Sequence, residues 1–413
     1  MKRRDFLAGT LGSLGAVPLI GTAANVPCPS PSLTAGGNSP IITPCPTPTP
    51  AGTPSWLQGA AVNAWIELPN TALLASAAMA NVPAFASGNW NNNYSGASLA
   101  GQSAYSGGCI AAATSELVVM GGGHSDYCGN EIYSLNLSDN APSWYQWFPP
   151  SQALANSSSS GSGVPYNLDN TPAARHTYWN IHFINSRNKL YTFLAQAVWG
   201  NGNGKFATVD SCAYRARAWD PMGTNPNAPS AGAFDLGMIK DASENIWYHD
   251  SASGELYKWT AATNSWTTVA NVNVAQGDGQ PYCCDTKRTR MVRTANGPTP
   301  AGWLNLGNPS AGFNNVTMSG TITPSVGGLV YDPVVDCFWY LPYAQGSTAV
   351  LYQINPTTWT VTTAAVTGSV PGNQTSGGPG DGYFHGRFNY VPNLKGLVFM
   401  LDNQTNVYFM RTA

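Results

Sequence analysis

From residue 56 onward, short runs of alternating apolar and polar residues recur, separated by turn residues. Asn130-Glu131-Ile132-Tyr133-Ser134-Leu135-Asn136-Leu137 is followed by Trp144. Gly254-Glu255-Leu256-Tyr257-Lys258-Trp259 is followed by Thr263-Asn264-Ser265-Trp266, and Val350-Leu351-Tyr352-Gln353-Ile354-Asn355-Pro356 by Trp359. A period of two over so few residues predicts half-buried strands, not helices. Each pair reads as the outer two strands of a four-stranded antiparallel unit. Two more alternating strands precede it, as at 108–113 and 116–120. Units begin near Tyr105, Arg175, Phe234, Gln280, Val326 and Tyr383, 46 to 70 residues apart. The last has room for only three strands. Ala64-Trp65-Ile66-Glu67-Leu68-Pro69 has the tryptophan-strand pattern and no unit of its own. One terminus completing the last unit closes a ring and removes exposed sheet edges. The expected fold is all-β: a β-propeller of six four-stranded blades, or seven if 149–174 contains strands.

Composition narrows the classes. Only 9% of the 413 residues are charged, with 18 Lys plus Arg against 20 Asp plus Glu and a net charge of -2. A coiled coil needs far more Glu, Lys and Arg, and phosphate neutralisation needs a basic surface, so no nucleic-acid partner is expected. The 14 Trp and 19 Tyr exclude general disorder. Residues 1–25 open with Lys2-Arg3-Arg4-Asp5-Phe6-Leu7 and end in small residues, resembling a twin-arginine export signal. Residues 26–55 are a Pro/Thr-rich spacer, and 56–413 the propeller. No mature segment is apolar enough to span a membrane. The expected location is periplasmic or extracellular, where the eight cysteines would by default form disulfides.

Gly121-Gly122-Gly123 closing a strand, then Asn130-Glu131-Ile132-Tyr133, then Trp144, resembles a kelch repeat. Over roughly residues 60–413 the chain resembles the galactose-oxidase-type and kelch-type β-propellers of exported bacterial proteins. In such rings the first strand of each blade lines a central channel. The loop entering it and the loop joining strands two and three open on one face. That mapping sends His124, His176, His249 and His385 to one face and leaves His182 inside a strand, as a structural residue. Because blades six, one and two are consecutive, His124, His176 and His385 are candidate ligands of a divalent metal ion. Each also suits a plainer role: His124 in a turn, His176 and His385 in the core.

Arginine is rare in this chain, and a guanidinium at a channel mouth grips a carboxylate bidentately, which singles out Arg175 and Arg387. Arg215 and Arg217 suit inter-blade ion pairs. Tyr127, Asn130 and Trp199 have the chemistry of sugar contacts, although Asn130 and Glu131 also suit turns. Together His124, Arg175, His176 and Tyr178 form a candidate catalytic set. Tyr127, Asn130, Trp199, His385 and Arg387 form a candidate substrate-binding set. The reaction these residue types suit is β-elimination of a uronate-containing glycan, with Tyr178 or His124 exchanging the proton and Arg175 or a His-bound cation neutralising the carboxylate. The alternative is a non-catalytic glycan- or protein-binding propeller. Copper-radical oxidation is a minor alternative: Tyr383 and His385 are separated by a residue where that family has Tyr and His adjacent, and no Cys–Tyr pair is identifiable. No opposed carboxylate pair or Gly-x-Ser-x-Gly elbow stands out.

Overall fold

The computed structural model describes residues 52–80, 101–122, 129–151, 165–197, 204–230, 237–250, 253–272, 280–295, 300–320, 327–343, 349–372 and 384–413. Six antiparallel sheets follow one another along the chain. Blade one runs Gly107–Ala111, Glu116–Met120, Ile132–Asn136 and Trp144–Phe148. Blade two is Ile181–Ile184, Lys189–Ala197, Gly204–Ala213 and Ala218–Trp219, and blade three Met238–Lys240, Ile246–His249, Glu255–Thr260 and Ser265–Asn271. Blade four is Tyr282–Asp285, Arg290–Arg293, Gly302–Asn305 and Phe313–Asn315, and blade five Gly327–Asp332, Cys337–Pro342, Tyr352–Ile354 and Val361–Thr363. Blade six has Phe388–Val391, Gly396–Phe399 and Tyr408–Arg411 from the C-terminal end of the chain.

Its fourth strand is Ala64–Glu67, antiparallel to Tyr408–Arg411 with Trp65 opposite Met410 and Glu67 opposite Tyr408. The ring therefore closes with the early strand that the tryptophan pattern pointed to. Thr367–Gly368 then pairs in parallel with Ala64–Trp65, tying blade five to the closing strand. The ring has six blades, not seven; between blades one and two the described residues hold only a single bridge, Tyr166 to Pro172.

Period-two alternation explains how six sheets make six cores. On Cys337–Pro342, Trp339 and Leu341 pack against blade six, while Phe338 and Tyr340 pack towards blade four. Every sheet thus buries both faces, one against each neighbour. Complete burial of a large apolar side chain contributes roughly 1.5–3 kcal/mol. The cores need no charge, which is why so few charged residues suffice. Near the axis the blades come closest: a Cβ on Gly107 would overlap the Tyr178 carbonyl.

Cys109, Cys212, Cys283, Cys284 and Cys337 are free thiols. This corrects the disulfide expectation for them. They are drawn into different inter-blade cores, Cys109 and Cys212 between blades one and two, Cys283 between four and five. Burial pushes the Cys109 thiol up to about 12. Cys28, Cys45 and Cys128 lie outside the described residues, as do the proposed export signal and most of the spacer. No helix among the described residues is long and apolar enough to cross a membrane.

One charged cluster ties blades four and five together. Arg288 meets Asp336 through two bonds of 2.8 and 2.9 Å, Lys287 Nζ lies 2.7 Å from the same carboxylate, and the Tyr331 hydroxyl donates to it at 2.7 Å. Arg288 foremost holds the Asp336 carboxyl well below the usual range. A folded value below the unfolded one stabilises above pH ~4 and is lost as pH falls through the folded value. The cluster is partly exposed, so Asp336→Asn should cost about 1 kcal/mol at pH 7. Thermal melting checks this: the difference should shrink in molar salt and at pH 2.

Candidate functional site

The segments entering blades one, two and six meet at the mouth of the channel. Thr177 clamps the first two. Its hydroxyl donates to the Met120 carbonyl and accepts the Gly107 N–H, both at 2.8 Å. The Tyr178 N–H then donates to the Tyr105 carbonyl at 3.1 Å. These bonds hold Tyr105 and Tyr178 at φ of 54° and 43°, and His385 sits at 35°. Bulky residues rarely adopt this left-handed backbone, and such outliers concentrate at functional sites.

The result is a cluster of two phenols and two imidazoles. His176 Nδ1 and Tyr178 Oη are 2.9 Å apart. Tyr105 stacks on His176 with ring centroids 4.8 Å apart. His385 packs edge-on against Tyr178 at 5.0 Å and Trp179 at 4.6 Å, and its ring is 6.1 Å from that of Tyr105. His176, Tyr178 and His385 are buried, and Tyr105 is half-buried. Burial, with the nearby Arg387 charge and His176, holds His385 well below the ordinary histidine range, so it is neutral at pH 7. His385 and Trp179 also line the channel cavity, about 270 Å³, together with His182 and Tyr282.

The structure therefore brings together His176, Tyr178 and His385 of the residues singled out above. His124, Tyr127 and Trp199 lie outside the described residues. The buried Arg175 guanidinium turns to Asp210 at 2.8 Å and to the carbonyls of Ala173 and Pro165 at 3.1 and 2.6 Å. Arg387 donates to the carbonyls of Ser103 and Leu401, fastening blade six to the segment before blade one. Asn130 ties blade one to the entry of blade two: it donates to the Pro172 carbonyl at 2.7 Å and accepts from Ser151 N–H at 2.9 Å. It also lines a separate groove of about 760 Å³ with Phe148 and Trp219, on outer strands.

His182 lines the channel wall, where burial and the charge of Lys240 lower it to about 3. His249 stands on blade three, lowered by burial and Arg293 to about 4. Arg215 makes an ion pair of 2.5 Å across to Glu116 of blade one. Sequence reasoning missed Tyr105 as a site residue; the only signal for it was its place at the start of a unit. Glu131, beside Asn130, also suits a turn in sequence. The structure buries it and has it accept a bond from the Tyr133 hydroxyl at 3.1 Å, and burial lifts its carboxyl to about 8.

Among the described residues no group of three His, Cys, Asp or Glu side chains is placed to hold a metal ion. His176 and His385, with the phenols beside them, are the available donors at the mouth. The copper-radical chemistry fits poorly. Cys109 and Cys212 lie in the blade one–two core and Cys283 in the four–five core, none of them in the Tyr–His cluster.

No family model matches the chain, and no curated protein matches it in sequence. Among solved structures, a novel fungal alcohol oxidase of the AA5 family in complex with copper aligns over 74% of this chain and 62% of its own, at 11% identity and a TM-score of 0.43. A nidogen/laminin complex aligns over 38% of this chain and 58% of that chain, at 8% identity and a TM-score of 0.29. This chain spans less than two thirds of either. The six-bladed architecture rests on the chain's own strand order.

Proposed function

We propose that this chain is an exported carbohydrate-active propeller whose channel mouth performs β-elimination on a uronate-containing glycan. The observation that carries the reading is the 2.9 Å approach of Tyr178 Oη to His176 Nδ1 within a buried aromatic cluster. With Nδ1 unprotonated, the phenol O–H donates to it, and the imidazole takes up the phenol proton as the phenol oxygen removes the C5 proton of the sugar. The C5–H electron pair becomes the C4–C5 double bond, and the C4–O bond breaks. The departing oxygen recovers a proton from the same Tyr–His pair.

The carboxylate must be stabilised as C5 loses its proton. Arg175 is engaged by Asp210, so in this reading that task passes to the ring N–H of neutral His385 and the Tyr105 hydroxyl, with a cation held by His176 and His385 as the variant to test. Polar donors in a dry, rigid cluster act more strongly than in water.

The test is incubation with a panel of polyuronates, followed by the ultraviolet absorbance of the unsaturated product. Product formation is expected with at least one polymer. Retention of the rate after chelator treatment assigns charge stabilisation to side chains, and its loss assigns it to the cation. Glycan binding with no product on any polymer would replace the lyase reading with that of a binding module.

A further inference from the structure

Across the mouth from the Tyr–His cluster, blades three and four carry a second group of polar residues. Arg293 ends the second strand of blade four and is fully buried. Among the described residues none of its three guanidinium nitrogens has a hydrogen-bond partner of strict geometry, and it belongs to none of the ion pairs. One face of the guanidinium lies on the Phe313 ring at 4.0 Å. His249, the last residue of the neighbouring blade-three strand, packs on the same ring at 5.6 Å. The Tyr282 hydroxyl lies close enough to Arg293 to feel its charge and to interact with its side chain, yet among the described residues no atom meets a guanidinium N–H in strict hydrogen-bonding geometry.

An arginine in this state is unusual. A buried charge is tolerated when paired, and the other fully buried arginines among the described residues obey the rule or are held by carbonyls. Arg175 has Asp210, and Arg387 has the carbonyls of Ser103 and Leu401. Arg293 has a planar fork stacked on Phe313, with a phenol and an imidazole near it. That is the geometry that receives a carboxylate bidentately. Tyr282 lines the channel cavity, whereas Arg293, Phe313 and His249 lie outside that lining, so a ligand from the channel would reach Arg293 past Tyr282.

We propose that Arg293 is the receptor of a carboxylate-binding site between blades three and four, opening on the central channel beside Tyr282. Arg293 supplies the paired N–H donors, and Tyr282 supplies a further hydroxyl at the channel side. The carboxylate comes either from a free small acid or from a uronate unit of a glycan chain. The site stands whether or not the Tyr–His cluster is a lyase centre.

The experiment uses the full chain, with Arg293→Met and Arg293→Lys, titrated with sodium acetate, sodium glucuronate, glucose and an oligogalacturonate at constant ionic strength. Calorimetry and thermal melting are the readouts. Glucuronate and acetate should bind and raise the wild-type melting temperature, and glucose should not. Arg293→Met should weaken carboxylate binding by at least about tenfold and, in carboxylate-free buffer, melt no lower than the wild type, because it removes an unpaired buried charge. Equal carboxylate binding by wild type and Arg293→Met overturns the proposal, as does a lower melting temperature of that variant in carboxylate-free buffer. If Arg293→Met does not fold, Arg293→Lys decides: wild-type affinity overturns the proposal, and a loss of about tenfold or more supports it, since lysine keeps the charge and loses the fork. An oligomer that binds more tightly than the monomer, with the gain lost in Tyr178→Phe, assigns the carboxylate to a glycan spanning the mouth. Equal affinities assign it to a free acid.

Discussion

Turnover of a polyuronate should fall about 10²–10⁴-fold when Tyr178 is replaced by Phe. The substitution removes one oxygen and keeps the ring that packs against His385 at 5.0 Å and Tyr105 at 6.0 Å. The backbone bond from Tyr178 N–H to the Tyr105 carbonyl also survives. Melting temperature should therefore change by only a few degrees, consistent with the loss of one buried hydrogen bond of about 1 kcal/mol. Because the phenol oxygen acts on the reacting proton, kcat should fall while KM stays near its wild-type value. His176→Gln should produce a loss of similar size, and adding it to Tyr178→Phe should cost little more, since two residues acting as one unit are not additive. A Tyr178→Phe enzyme with the wild-type rate would sink the proposed chemistry. So would a double variant whose loss equals the product of the single losses, since it would show the two residues acting independently.

The architecture was legible because a propeller repeats one supersecondary unit, and repetition shows in a single sequence. The tyrosine-strand and tryptophan-strand pairs at Tyr133 and Trp144, Tyr257 and Trp266, and Tyr352 and Trp359 set the blade order. The unclaimed Trp65 segment pointed to the closing strand. His176, Tyr178 and His385 were legible for a related reason: a residue at a blade's entry is at the channel mouth in any such ring. What escaped was everything decided by which residues meet across blades. Tyr105 joins the site through its left-handed backbone and its stack on His176, and neither has a sequence signature. Arg293 sits in Lys287-Arg288-Thr289-Arg290-Met291-Val292-Arg293, a basic hairpin in which solvated and buried cations look alike. Arg288 meets acids at a partly exposed blade junction, whereas Arg293 is buried over Phe313.

Arg175 marks the same boundary, and a single substitution separates its two readings. As a rare arginine beside His176 it looked like a carboxylate grip. The fold instead brings it to Asp210, on the third strand of blade two and opposite Thr192. Asp210 also accepts the Tyr166 hydroxyl at 2.9 Å, and Arg175 reaches the Pro165 and Ala173 carbonyls. The pair thus pins the 165–175 segment to the blade and sets the approach of His176 and Tyr178. Asp210→Ala should destabilise the protein by about 3–5 kcal/mol, because it strands a buried guanidinium. Arg175→Met with Asp210→Leu removes both charges and should recover much of that loss, since a buried pair replaced by apolar side chains is often neutral. Denaturant midpoints of the three proteins check the ordering. If Arg175 were instead a substrate grip, Asp210→Ala would release it towards the mouth: stability would barely change and KM for a polyuronate would fall. Stability lost in the single variant and regained in the double one is the signature of a pin.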